Sequence, residues 1–268
     1  MKDKRMYWDD DELDGVVRYP TEGSAEELGS PIKFIAQREI QSGNVPEEIR
    51  GEFIENDFDY APIRPYNSQR YYDVSAQEFR EFEQEQYIGH SETMLKCLNV
   101  LTEYPLAIVT HSDRDCYGIV TPSNFNKRIA KEYLYTFFAA TAQSISHVIE
   151  SRYNTEEVLP TYLSNRNNGE AANRWAEARE NNVELHVAEF MNLTDLKVIV
   201  TEIEELRENM GFDSKTQCRQ SFDAVSKFRD KVMHANRTMM SEPDDIYALA
   251  EAIDEASSLT KQAQDLNS

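Results

Sequence analysis

The chain has 268 residues, with 28 Lys and Arg against 49 Asp and Glu, giving a net charge of −21 at pH 7. A chain of this length buries roughly three quarters of its unfolded surface and suits one large or two medium domains. With 40% hydrophobic residues, 29% charged, 9 Gly and 9 Pro, its composition excludes collagenous, disordered and disulfide-scaffold classes. The acidity argues against non-specific attraction to nucleic acid, which depends on cationic neutralisation of phosphates, but leaves room for a local basic site. It also suits a halophile cytoplasm rich in potassium salt, where screening relieves self-repulsion.

Residues 1–28 are polar and acidic, with Asp9, Asp10, Asp11, Glu12 and Asp14 clustered, and are expected to form a tail or loose element. The chain shows no apolar run of signal-peptide length, and none near the ~20 residues of a membrane span, so a cytoplasmic protein without a membrane partner is expected. Cys97, Cys116 and Cys218 lie far apart, without CxxC spacing or a histidine at ligand spacing. They are expected as buried free thiols, with no metal site.

From 52 to 124, short β-branched and aromatic runs alternate with polar turns and two helical stretches, the pattern of a small α/β region. The strongest hairpin signal is Leu106-Ala-Ile-Val-Thr110 and Tyr117-Gly-Ile-Val-Thr121, joined by a charged turn. That turn holds His111, Asp113, Asp115 and Cys116, which are ligand types, but ordinary turn chemistry is the expected reading. After Asn124, helical periodicity takes over. Helices are predicted at 129–152, 170–181, 183–191, 194–210, 216–239 and 243–265, with Thr194 and Asp213 as N-caps and Gly211 as a stop. The predicted fold class is therefore α+β: residues 29–128 form the α/β part and 129–268 an all-α bundle, whose short connections favour antiparallel neighbours.

Residues 52–78 and 92–124 share a scheme of helix, strand, polar turn, strand, then a hydroxyl residue three before a polar one. The second copy ends Gly118-Ile119-Val120-Thr121-Pro122-Ser123-Asn124; the first has only Ser75-Ala-Gln-Glu78. This pair resembles the CBS-domain tandem, whose copies end in Gly-x-x-Thr-x-x-Asp or Asn. The resemblance implies that Thr121, Ser123 and Asn124 contact the ribose and phosphates of an adenine nucleotide, while Glu78 would repel phosphate and leaves at most one site. The residues alone are equally those of an N-cap, with Thr121 or Ser123 capping the helix that follows.

Ser226-Lys-Phe-Arg229-Asp230-Lys231-Val-Met-His234-Ala-Asn236-Arg237 closes an apolar-periodic helix and concentrates positive charge in an acidic chain. A cation and an imidazole suffice for RNA cleavage without metal: the imidazole moves the 2′-hydroxyl or leaving-group proton, and the guanidinium stabilises charge on the phosphate. On one continuous helix Arg229 and His234 point about 140° apart, whereas Asp230 and His234 share a face. Two copies crossing at a twofold axis would bring both pairs together. Residues 130–265 resemble a HEPN domain, a helical bundle marked by Arg, four to six residues, then His. The resemblance implies a homodimer and a metal-independent endoribonuclease of toxin or defence type that needs no cofactor for catalysis. Arg229, His234 and Asp230 would form its catalytic set, and Lys231, Asn236 and Arg237 would contact RNA. CBS followed by HEPN implies nucleotide sensing coupled to that site through the helix leaving Asn124.

The alternative is a non-catalytic regulatory or scaffold protein whose bundle only dimerises or docks a partner, with the basic cluster complementing a helix C-terminus. His147, Trp175 with Arg174 and Arg179, and His186 are expected as packing or surface residues. No Gly-rich phosphate loop, GxSxG elbow or dinucleotide fingerprint is present, which disfavours NTP hydrolysis and hydride transfer.

Overall fold

The computed structural model describes residues 24–29, 34–64, 69–110, 116–165, 169–234, 237–242 and 244–267. The acidic tail to residue 23, the turn 111–115 and Asn236 lie outside them. The fold is mixed α+β with two small sheets and a helical C-terminal region. It divides into two compact units, Met1–Ala130 and Lys131–Ser268.

The first unit is built from two β-α-β-β repeats. In the first, β1 (Ile35–Ala36) precedes α2 (Glu47–Glu55) and runs parallel to β2 (Tyr60–Arg64), which pairs antiparallel with β3 (Arg70–Asp73). In the second, β5 (Tyr87–Gly89), α3 (Met94–Leu101), β6 (Ala107–Thr110) and β7 (Cys116–Val120) repeat the scheme, β5 parallel and β7 antiparallel to β6. The expected hairpin is thus β6–β7, with Ile108 opposite Ile119. Helix α3 buries Met94, Cys97, Leu98 and Leu101, spaced i, i+3, i+4 and i+7, and Thr93 Oγ1 caps it by accepting from the Lys96 amide. A short α1 (Ala25–Leu28), closed by a reciprocal Ser24–Glu27 capping box, hangs on the second repeat through the Ala25 amide, which donates to Glu92 O at 2.7 Å.

The two repeats part company after their hairpins. Ser75-Ala-Gln-Glu78 does not lead into a helix; it reverses the chain into β4 (Glu78–Glu81), antiparallel to β3. Asp73, only 5% exposed, holds that reversal by accepting from Ser75 Oγ and the Ala76 amide, each at 2.9 Å, and pairs with Arg80 at 3.1 Å. In the second repeat a short 3-10 turn, Pro122–Asn126, leads to α4 (Arg128–Arg152).

Alternation along β3 explains where the core lies. Successive strand residues face opposite sides of a sheet. Tyr72 packs with Ile35, Phe53, Ala61 and Ile63, whereas Tyr71 packs with Leu106 and Ile108 of the other repeat. Phe82 stacks on Tyr71 at 4.7 Å and meets Tyr87 edge-on at 5.9 Å, so aromatic rings join the two repeats. Burial, with Asp73 and Asp59 nearby, pushes the Tyr60 hydroxyl beside this cluster up to about 12.

The second unit takes most of α4 and adds α5 (Thr155–Asn165), α6 (Glu170–Glu180), α7 (Leu193–Glu202), α8 (Glu204–Asn209), α9 (Lys215–Met233) and α10 (Asp245–Asn267). Helix α9 buries Cys218, Phe222, Val225, Phe228 and Val232 against α7 and α10; α10 answers with Ile246, Leu249, Ile253, Ala256 and Leu259. Helices α4 and α10 advance in the same direction: Thr260 Oγ1 donates to Thr141 Oγ1 at 3.0 Å, and Arg152 Nη2 to Leu266 O at 2.7 Å.

Several expected boundaries move. The segment 183–191 is extended with only a 3-10 turn at Val187–Phe190, because its carbonyls are taken from outside: Trp175 Nε1 donates to Leu185 O and Arg174 Nη2 to Phe190 O. The helix predicted over 194–210 breaks at Ile203, where buried Arg207 donates to Thr201 O at 2.9 Å. The N-caps are Asn192 and Ser214 rather than Thr194 and Asp213; Asn192 Oδ1 accepts from the amides of Thr194 and Asp195. Gly211 does follow a helix end, at φ +78°, the left-handed geometry that favours glycine after a C-cap. Cys97 and Cys218 are buried free thiols, and burial pushes Cys97 up to about 12. Among the described residues, no helix is long and apolar enough to cross a membrane.

Candidate functional site

Helix α9 ends at Met233, six residues earlier than its periodicity suggests. The apolar pattern continues in Met239 and Met240, both buried, but the chain reaches that burial by leaving the helix and folding back. Lys231 fixes the return: its ammonium donates to Met239 O at 2.8 Å and to Asp245 Oδ1 at 3.2 Å. Asp245, the first residue of α10, also accepts from the amides of Ser241 and Glu242 through Oδ2, at 2.8 and 3.1 Å. Burial would raise this carboxyl, but the two amides and the Lys231 ammonium outweigh it and hold the carboxyl below its ordinary value.

His234 is therefore the C-cap of α9, with extended backbone (φ −106°, ψ 102°) and an exposed side chain. His234 is thus the first residue past the helix that carries Asp230. Asp230 instead pairs with its neighbour: Arg229 Nη1 lies 3.0 Å from Asp230 Oδ1, with the arginine 31% exposed. Arg237 turns back on His234, its amide donating to His234 O at 2.9 Å, and Lys131 on α4 donates to Arg237 O at 2.8 Å. The segment thus presents an imidazole at a helix C-terminus, where positive charge is favoured, with a guanidinium five residues earlier.

Of the three residues expected to contact RNA, Arg237 is exposed, Lys231 is the anchor just described, and Asn236 lies outside the described residues. Lys131 and Asp245 escaped sequence reasoning. Asp245 carries the usual signal of an acidic residue in the first turn of a helix, whereas Lys131 is visible only once α4 and the turn after α9 are placed together.

At the second candidate site, Thr121 stands at the N-cap position of the 3-10 turn Pro122–Asn126, without a side-chain cap hydrogen bond of its own. Asn124, 4% exposed, accepts through Oδ1 from the Thr121 amide at 2.7 Å and from Thr121 Oγ1 at 3.0 Å. Thr121 Oγ1 and Ser123 Oγ share a 2.9 Å hydrogen bond. The three polar groups expected to face a nucleotide are thus bonded to one another, and a ligand would have to exchange some of these contacts for its own.

His147 is an exposed surface residue, 3.7 Å from Glu150, at the rim of a groove of about 610 Å³ between α4 and the Val187–Phe190 turn. His186 Nδ1 accepts from the Ala188 amide, and Arg179 stands over the Trp175 ring at 4.9 Å. Among the described residues, no group of three or more His, Cys, Asp or Glu is placed to hold a metal ion. In comparisons with known proteins, no family model, curated protein or solved structure matches this chain.

Proposed function

We propose that the second unit is a HEPN-like, metal-independent endoribonuclease that acts as a homodimer, with Arg229 and His234 of both copies meeting in one cleft. The observation that carries this reading is the exposed imidazole of His234, held just beyond α9 by the Lys231, Lys131 and Asp245 contacts. The imidazole can take the 2′-hydroxyl proton; Arg229, released from Asp230, stabilises charge on the attacked phosphate. The product would be a cyclic phosphate and a free 5′-hydroxyl.

In the same proposal the two β-α-β-β repeats form a CBS-like sensor, and Thr121, Ser123 and Asn124 take an adenine nucleotide. Such a ligand shifts the nuclease only as far as its affinities for the active and inactive arrangements differ. Calorimetric titration of ATP and AMP across salt concentrations tests this half: binding that weakens in Thr121→Ala supports it, and no binding at any salt removes it.

The nuclease is tested by incubating a mixed RNA pool with the chain and with its His234→Ala and Arg229→Ala variants, in EDTA, from low to multimolar KCl. Cleavage by the parent alone is expected. Absence of cleavage by a folded, dimeric parent would favour the second reading, a non-catalytic dimerising or docking scaffold. The Arg229–Asp230 ion pair supports that scaffold, because it occupies the guanidinium within the chain.

A further inference from the structure

Hydroxyls along α4 turn back onto their own helix. Thr136 Oγ1 donates to Glu132 O at 3.0 Å, Thr141 Oγ1 to Phe137 O at 3.2 Å and Ser151 Oγ to Val148 O at 3.0 Å, the usual bond of a hydroxyl inside a helix. Ser146 differs: it is 8% exposed, and its Oγ has no hydrogen-bond partner. A buried hydroxyl left unpaired lowers stability, so alanine would serve the fold better here unless the oxygen meets something from outside the chain.

Ser146 lines the groove of about 610 Å³ between α4 and the Val187–Phe190 turn, a volume suited to a small ligand. Helix α4 contributes Ala140, Gln143 and Ser146, and the turn with the residue after it contributes Ala188, Glu189 and Met191. The Glu189 carboxylate, Gln143 Oε1 and Ser146 Oγ all offer lone pairs. Among the described residues, no Lys or Arg lines the groove and no basic side chain pairs with Glu189. An anion therefore finds no partner there, and the net charge of −21 repels it.

We propose that this groove binds an aliphatic amine, whose N–H groups donate to the Glu189 carboxylate and to Ser146 Oγ while its methylenes lie on Ala140, Ala188 and Met191. The carboxylate supplies the charge-assisted bond, and the buried hydroxyl distinguishes an amine from a cation of equal charge that has no hydrogen to give. Ala140 lies nine residues, about 14 Å, along α4 from Lys131, so the groove can be tested apart from the turn that carries His234.

The test titrates the diamine putrescine into the full-length chain at fixed KCl, with affinity read by calorimetry and the contact by backbone amide chemical shifts. Saturable binding is expected, with shifts concentrated at 140–147 and 187–191. Glu189→Gln should weaken it about tenfold. Ser146→Ala should weaken it about fivefold, yet its melting temperature without amine should equal or exceed the parent's, because the unpaired hydroxyl is gone. Glu180→Gln, which removes an exposed carboxylate of α6 outside the groove, should bind as the parent does. Fully N-methylated putrescine, equally charged but without N–H donors, should bind about tenfold more weakly or less. Absence of saturable binding, or parental affinity in Ser146→Ala, overturns the proposal. Equal binding of the methylated analogue, or equal weakening in Glu180→Gln, also overturns it, by reducing the effect to general attraction between a cation and an acidic chain.

Discussion

Asp73 in the first unit and Asp245 in the second are built alike. Each carboxylate accepts from an adjacent turn, Asp73 from the Ala76 amide and Ser75 Oγ, Asp245 from the Ser241 and Glu242 amides, and pairs with one basic side chain, Arg80 for Asp73 and Lys231 for Asp245. What surrounds them differs. Asp73 closes a hairpin within one sheet, and its cation, Arg80, lies seven residues downstream on the paired strand. Asp245 ties the end of α9 to the start of α10, and the chain it restrains carries His234. The same local device serves tertiary order in one place and the position of a single imidazole in the other, so removing each should have separable effects.

The largest stability loss is expected for Asp73→Ala, because this buried carboxylate is the acceptor for Ser75 Oγ, the Ala76 amide and the exposed Arg80. A cost of about 2–3 kcal/mol is expected in urea denaturation, with RNA cleavage by the folded fraction, on the proposed nuclease reading, unchanged. Asp245→Ala should cost about 2 kcal/mol and, unlike Asp73→Ala, speed amide exchange across 234–242 and, on the proposed nuclease reading, depress cleavage. A chain in which both variants leave cleavage equal would break the comparison. Third, Asp245 is held below its unfolded value, so its contribution is complete above the unfolded carboxylate pKa and is lost as pH falls through the folded one. Melting temperature should therefore drop on acidification in that window, and the drop should be shallower in Asp245→Asn. Glu202, lowered chiefly by its hydrogen bond from Lys215 and by Arg219, adds a limb of the same sign. The smallest effect is expected for Lys231→Met, which removes the ammonium that stands over the Phe228 ring and bonds Met239 O and Asp245 but fills its place with an apolar side chain; about 1 kcal/mol in the same denaturation assay is expected.

Much of the architecture was legible because its signals are periodic. The β6–β7 hairpin follows from two matched β-branched runs, and the α9 stripe from Cys218 to Val232 follows from spacing alone. The misread boundaries share a cause. In 183–191 the spacing of Val187, Ala188 and Met191 imitates a helix, and only the Trp175 and Arg174 side chains, distant in sequence, decide otherwise. Past Met233, Met239 and Met240 extend the helical pattern although they are buried by a turn whose anchor, Asp245, lies on the next helix. At the site, the residue types at Arg229 and His234 could be singled out early. Their geometry could not, because a helical wheel assumes the helix it is meant to test.

The alternation of Tyr71 and Tyr72 on β3 bears on the modularity of the first unit. One strand supplies a wall to its own repeat through Tyr72 and to the other through Tyr71, with Tyr60 and Phe82 reinforcing the second contact. The first repeat has a core of its own around Phe53 and Tyr72, but the other face of β3 is covered by Leu106 and Ile108 of the second. Excising either half would expose these rings to water, and grafting a repeat elsewhere would carry an open aromatic edge with it. The shared aromatic seam couples the two repeats, so they are expected to melt in one transition, and the duplication written in the topology does not correspond to two separable parts.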